Sequence, residues 1–136
     1  MAGELSTEPG RVIGVGGVFF KSADRDRLYR WYADNLGMMG LAHGIEFPWR
    51  SHDKPEIEHR TVWSIFPRDS NYFDPSQAPF MINYIVDDLD AILARLARNG
   101  MNIDPKREDY DYGRFAWIVD PDGNKIELWE PRHMHV

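Results

Sequence analysis

Residues 12–20, VIGVGGVFF, form a run of β-branched and aromatic residues broken by glycines. That is the pattern of a strand approached closely by another group. SADRDRLYRWYADNLG follows with the spacing of a helix. Ser22 or Asp24 can cap it, Leu28, Trp31, Tyr32 and Leu36 share a face, and Gly37 ends it. GIEFPW (44–49) and RTVWSIF (60–66) read as strands around the polar loop RSHDKPEIEH. Residues 67–79, PRDSNYFDPSQAP, read as loop from their Pro, Asp, Ser and Asn content.

The pattern then restarts. FMINYIV (80–86) predicts a strand. DDLDAILARLARNG (87–100) predicts a helix with Leu89, Ile92, Leu93 and Leu96 on one face and Gly100 as its stop. A short strand is expected near residues 101–103. GRFAWIVD and NKIELWE are strands joined through DPDGN, where Pro121 presets the first turn position and Gly123 supplies a positive φ.

Strand, helix and strands thus occur twice at a constant spacing. Asp24 and Asp88, Pro67 and Pro131, Trp63 and Glu127, and Gly17 and Met81 are each 64 positions apart. Little sequence identity links the halves, so the repeat is one of structure. Strand alternation then assigns the side chains to two faces. The inward set is Val15, Gly17 and Phe19; Thr61, Trp63 and Ile65; Met81, Asn83 and Ile85; and Phe115, Trp117, Glu127 and Trp129. The opposite set, a core under two helices, is Val18, Phe20, Val62, Phe66, Ile82, Tyr84, Val86, Ile118, Ile126 and Leu128.

Composition narrows the class. The chain has 136 residues, 43% hydrophobic and 28% charged. That suits one globular domain, which buries roughly two-thirds of the surface its unfolded chain exposes. The net charge of −6 argues against nucleic acid, which needs a clustered basic surface. Arg25, Arg27 and Arg30 alternate with Asp24, Asp26 and Asp34 and read as a solvated helix face. There is no cysteine, so disulfides, thiol catalysis and Cys-ligated zinc are excluded. Residues 1–11 lack the layout of a signal peptide, and no apolar run reaches membrane-spanning length. A cytoplasmic protein without membrane partners is the expectation.

Three motifs point to a family. SADRDRLYRWYADNLGM resembles the D-x7-Y-x3-LG element that opens the first module of the vicinal oxygen chelate superfamily, which includes glyoxalase I, bleomycin-resistance proteins and extradiol dioxygenases. YIVDDLDAILARLARNGM is similar to its second-module element, and FAWIVDPDGNKIELWEP to its C-terminal hairpin. The resemblance implies an α+β fold, two βαβββ modules with curled mixed sheets enclosing a cleft. Residues 1–11 would be a flexible N-terminus and 132–136 a tail. The single domain, 12–131, divides into module one (12–67), a linker (68–79) and module two (80–131). The modules could pair within one chain or swap between two.

The resemblance also implies one divalent metal held by four side chains, one from the first and one from the last strand of each module. Those positions here are Gly17, Trp63, Met81 and Glu127, of which Glu127 alone is an ordinary ligand. Gly has no side chain, Trp offers an N–H donor, and Met binds hard ions poorly. No metal or other cofactor is therefore expected. His43, His52 and His59 lie in or beside the loops of module one, and His133 and His135 in the tail. None falls on an inward position, and solvated side chains are expected.

The expected ligand site is an aromatic cleft lined by Phe19, Thr61, Trp63, Ile65, Met81, Asn83, Phe115, Trp117, Glu127 and Trp129. Apolar walls with a few convergent polar groups are the usual makeup of a small-molecule site. Glu127 has three readings: polar anchor for a ligand, general base, or a structural carboxylate bonded to a Trp N–H, Asn83 or an Arg. The chain as a whole reads as a metal-independent protein binding a small apolar or aromatic ligand, as a homodimer. An acidic protein suits a cationic or neutral ligand. Two alternatives stay open. One is a lyase, isomerase or dioxygenase using a divalent metal or Glu127 as base. The other is a domain that acts through dimerisation alone.

Overall fold

The computed structural model describes residues 9–40 and 44–132. Its elements are β1 (Val12–Ser22), α1 (Arg25–Leu36), β2 (Ile45–Arg50), β3 (Glu58–Pro67), β4 (Phe80–Val86), α2 (Leu89–Arg98), β5 (Asn102–Tyr110), β6 (Gly113–Val119) and β7 (Lys125–Pro131). The strands form one mixed sheet in the order β2-β3-β1-β4-β7-β6-β5. Antiparallel pairing of β1 with β4 joins the halves within one chain. β3 lies parallel to β1, and β7 parallel to β4, as the structural repeat requires. No helix among the described residues is long and apolar enough to cross a membrane.

Each helix starts where its aspartate caps it. Asp24 accepts from the Arg27 N–H and Asp88 from the Ala91 N–H. α1 then ends at Gly37 in the left-handed region, φ 65°. In the last hairpin the Asp120 carboxylate accepts from the Asp122 and Asn124 N–H groups, and Gly123 takes φ 85°. The resulting register sets Trp117 beside Glu127 and Phe115 beside Trp129.

The two modules are not equal. Module two is βαβββ, whereas module one, among the described residues, is βαββ. β5 is also far longer than a short strand at 101–103, because it pairs along β6 as far as Tyr110 and Gly113.

The helices differ as well. α2 buries Leu89 and Ile92 in a core with Val86, Ala116 and Leu128. α1 buries no residue, and Trp31 and Leu36, expected on its inner face, are 51% and 57% exposed. The side that meets the sheet is Arg25, Tyr29 and Tyr32. Arg25 Nε donates to the Ile65 carbonyl, Tyr29 Oη accepts from the Ile65 N–H, and Tyr32 packs edge-on to Trp63. Arg25, Tyr29 and Tyr32 thus hold α1, and of these three Tyr32 alone belonged to the expected face.

Candidate functional site

The concave face of the sheet encloses an open cleft of about 560 Å³. β1 supplies its back wall through Gly16 and Phe19, β4 through Asn83, and β7 through Glu127 and Trp129. A bulge in the β1–β4 ladder falls at Gly16, between the pairs Val15–Tyr84 and Gly17–Asn83. A side chain at Gly16 would collide with Asn83 Oδ1, Ile85 and Trp129, so only glycine leaves this part of the wall open.

Glu127 is buried on the cleft side, 4% exposed. Its Oε1 accepts from Asn83 Nδ2 at 2.6 Å, and its Oε2 from Trp117 Nε1 at 2.9 Å and from the Tyr72 hydroxyl. Charge-assisted bonds of this kind offset the cost of burying a carboxylate. No ion pair involves Glu127 among the described residues. Two ammonium groups lie over the rings that bond it: Lys125 Nζ 5.4 Å from the Tyr72 centroid and 5.8 Å from that of Trp117, and Lys106 Nζ 5.2 Å from that of Trp117. Burial first, and then the Glu127 charge, push the Tyr72 phenol far above its ordinary value, so it stays a donor. Asn83, 2% exposed, has its amide turned to Glu127, and its Oδ1 lies beside Gly16 without a hydrogen-bond partner.

The predicted site residues divide between the two faces. Phe19, Asn83, Phe115, Glu127 and Trp129 line the cleft. Met81 and Trp117 lie on the same side but deeper, in a buried cluster with Phe19 and Phe73. Thr61, Trp63 and Ile65 do not belong to the cleft. The Trp63 ring packs against Phe20, Tyr29 and Tyr32 under α1. Thr61 Oγ1 donates to the Val15 carbonyl, and Ile65 shares the Trp63 side of β3. Val62 lines the cleft instead, and Phe66, expected under the helices, packs on the cleft-side cluster. The cause is a register slip. The helix caps keep their 64-residue spacing, but five residues before each cap the ladder sets Phe19 beside Ser64 and Asn83 beside Glu127. The stretch from cap to closing strand is one residue longer in module one, and a one-residue slip exchanges the faces of a strand.

Three groups of lining residues were not expected. Tyr72 comes from the inter-module connection, whose neighbour Phe73 is wholly buried against Phe66 at 5.1 Å. Tyr110, Tyr112 and Glu108 come from the β5–β6 hairpin, and Glu46 from β2. The signal in the sequence is the pair of aromatics in each of SNYFD and EDYDYG, since large rings in polar loops need somewhere to pack. Rings pair along this wall: Phe115 and Trp129 are 5.6 Å apart and within 8° of parallel, Tyr110 and Tyr112 5.0 Å apart and within 9°. The Tyr110 hydroxyl bonds Glu108, which holds that phenol above its ordinary value. Among the histidines, His59 is buried and lies against Trp49 at 4.9 Å, contrary to the expectation of a solvated ring. His52 is exposed, and His43, His133 and His135 lie outside the described residues.

With the fold and cleft in place, comparison with known proteins decides the family. The Glyoxalase/Bleomycin resistance protein/Dioxygenase superfamily model matches residues 22–128. The chain belongs to that superfamily. No curated protein matches it. Among solved structures, methylmalonyl-CoA epimerase from Mycobacterium tuberculosis is 24% identical, with TM-score 0.59 over 96% of this chain and 94% of that one. A variant of the Streptomyces coelicolor methylmalonyl-CoA epimerase in complex with 2-nitronate-propionyl-CoA is 12% identical, TM-score 0.64, over 90% and 100%. A superfamily member from Vibrio splendidus 12B01 is 13% identical, TM-score 0.57, over 85% and 97%. These likenesses are of fold.

The metal associated with the superfamily does not fit the residues present. At the four positions stand Gly17, Ser64 (with the slip), Met81 and Glu127, and a lone hydroxyl adds little to one carboxylate. Both Glu127 oxygens face N–H or O–H donors, whose positive ends occupy the directions a cation would need. Met81 is sealed in the cluster with Phe73. Among the described residues no three His, Asp or Glu side chains gather as an alternative set.

Proposed function

We propose that this superfamily member binds a small, flat ligand in the aromatic cleft without a divalent metal, with Glu127 and Asn83 as its polar floor. One observation carries the reading. An open cleft walled by paired rings meets, at its base, a buried carboxylate and a buried amide oxygen that has no partner. Apolar walls with a few fixed polar groups bind by ring contact and are oriented by hydrogen bonds. Three donors already engage the Glu127 oxygens, which suits an anchor better than a base that must take a ligand's proton. The epimerases among the structural neighbours are named for methylmalonyl-CoA, a substrate bearing phosphates and a carboxylate. No Lys or Arg is among the described residues lining the cleft, which speaks against that substrate class here. Exposed Trp31, Leu36 and Met39 support a homodimer as part of the reading.

Tryptophan emission tests it, because Trp129 stands in the wall. A panel of planar aromatic compounds should contain some that perturb wild-type emission saturably, and Trp129→Leu should weaken their binding. Untagged protein should carry less than one divalent ion per chain and bind equally well after chelation. A tightly held stoichiometric ion, or a panel without a single binder, refutes the proposal.

A further inference from the structure

We propose that the ligand group the cleft selects is a planar organic cation bearing N–H donors, an amidinium or a protonated ring amine. The inference rests on the ligand-binding reading above and gives that ligand its charge and polarity.

Three carboxylates line the cleft, Glu46, Glu108 and Glu127, and among the described lining residues there is no Lys, Arg or His. Two of the three are offset from outside: Glu46 by Arg60 at 2.7 Å and Glu108 by Lys106 at 3.7 Å. Glu127, the deepest, has hydrogen-bond donors only.

Apart from the exposed Tyr112 hydroxyl, the side-chain donors of the wall are spent on the protein itself. Tyr72, Trp117 and Asn83 Nδ2 serve Glu127, Tyr110 serves Glu108, and Trp129 Nε1 donates to the Tyr112 carbonyl at 3.2 Å. What remains toward a ligand deeper in the cleft are acceptors and ring faces. Asn83 Oδ1 is the clearest case. The bond to Glu127 fixes which end of the amide points there, so the free end beside Gly16 is an oxygen. Polar atoms buried without partners are costly and mark places where a donor is missing.

Every one of these features favours the same guest. Ring faces carry negative potential and attract cations. An anion would meet carboxylates and ring faces together, with repulsion from both. A neutral hydrocarbon would fill the space but leave Asn83 Oδ1 unpaired and Glu127 further desolvated. A flat cation with N–H groups meets the rings, the oxygen and the charge together.

Benzamidinium, benzamide and benzoate share one ring and nearly one shape while differing in charge, and they separate the possibilities. Binding is followed by tryptophan emission, excited where the probes do not absorb, and by the side-chain amide resonance of Asn83 in ¹⁵N-labelled protein. Benzamidinium should bind about tenfold more tightly than benzamide, benzoate should not bind, and added salt should shrink the preference. Glu108→Gln, at a partly exposed position that leaves the fold intact, should lower benzamidinium affinity several-fold and leave benzamide unchanged. Asn83 should shift with benzamidinium. If benzamide or benzoate binds as well as benzamidinium, the cation inference falls and the aromatic-cleft reading stands. If none of the three binds, both fall. If benzamidinium binds with Asn83 unmoved and Glu108→Gln without effect, the site lies elsewhere and the inference is overturned.

Discussion

Tyr72, in the connection between the modules, donates its hydroxyl hydrogen to Glu127 fifty-five positions further along the chain. The same tyrosine is held from its other end, where Lys125 Nζ donates to the Tyr72 carbonyl at 2.8 Å. A loop that looks like a spacer in sequence is thereby stitched to the closing strand. It brings Phe73 into the concave face and leaves the rest of that face open. The family's metal position and the cleft's floor are consequently one hydrogen-bonded unit of Tyr72, Asn83, Trp117 and Glu127.

Removing the carboxylate should cost more than neutralising it. Glu127→Ala leaves two buried donors and the half-buried Tyr72 hydroxyl unpaired, and at about 1–3 kcal/mol for each buried group the loss should reach about 3 kcal/mol. Glu127→Gln keeps an oxygen for Tyr72 and Trp117, and Asn83 can turn its amide to accept from the new N–H, so about 1 kcal/mol is expected. Urea midpoints of the two variants check this. Equal losses would mean that the network contributes little.

Alkaline pH should reveal Tyr72. Burial and the neighbouring Glu127 raise its pKa from the ordinary 10.0, so the folded chain keeps a proton that the unfolded chain gives up. Its contribution is fully present below about pH 10 and is lost as pH rises beyond that. Tyr110, raised mainly by its bond to Glu108, adds to the same slope. Tyr72→Phe should therefore be less stable than wild type near neutrality, by about 1–2 kcal/mol, and lose less stability above about pH 10. Denaturation curves across that range decide it, and parallel pH slopes would contradict the assignment.

Trp63 and Trp129 should separate stability from binding. Trp63→Ala removes a ring packed on Phe20 and Tyr32 and should cost about 3 kcal/mol. The affinity of whatever folded protein remains should be unchanged. Trp129→Leu should do the reverse, because its ring stacks on Phe115 in the cleft wall. A fluorescence titration beside a thermal melt for each variant reads both quantities.

The two caps should differ in reach. Asp24→Ala and Asp88→Ala each remove one bond to a helix N–H, about 1 kcal/mol. α2 is part of a buried core, so its cap should lower global stability by that amount. α1 buries no residue, so its cap should show mainly as faster amide exchange within α1. Hydrogen-exchange rates for both helices test the contrast.

The sequence by itself determined the elements whose signals are local. Alternating and helical periodicities, the Asp24 and Asp88 caps and the DPDGN turn do not depend on distant contacts, and each forms where its residues call for it. The second half of the site was legible for the same reason, since a tight hairpin fixes Phe115, Trp117, Glu127 and Trp129 relative to one another. Only the tertiary structure decided the rest. The face of Trp63 turned on a single residue in the path from α1 to β3, and alternation carries no memory of such a slip. The aromatics of the linker took their places because the concave face offered buried area that their own segment lacked, whereas Tyr110 and Tyr112 of the β5–β6 hairpin line the cleft while staying exposed. Glu127 is a residue the chain could announce. Its partners, drawn from three other segments, are set by how the sheet folds around it.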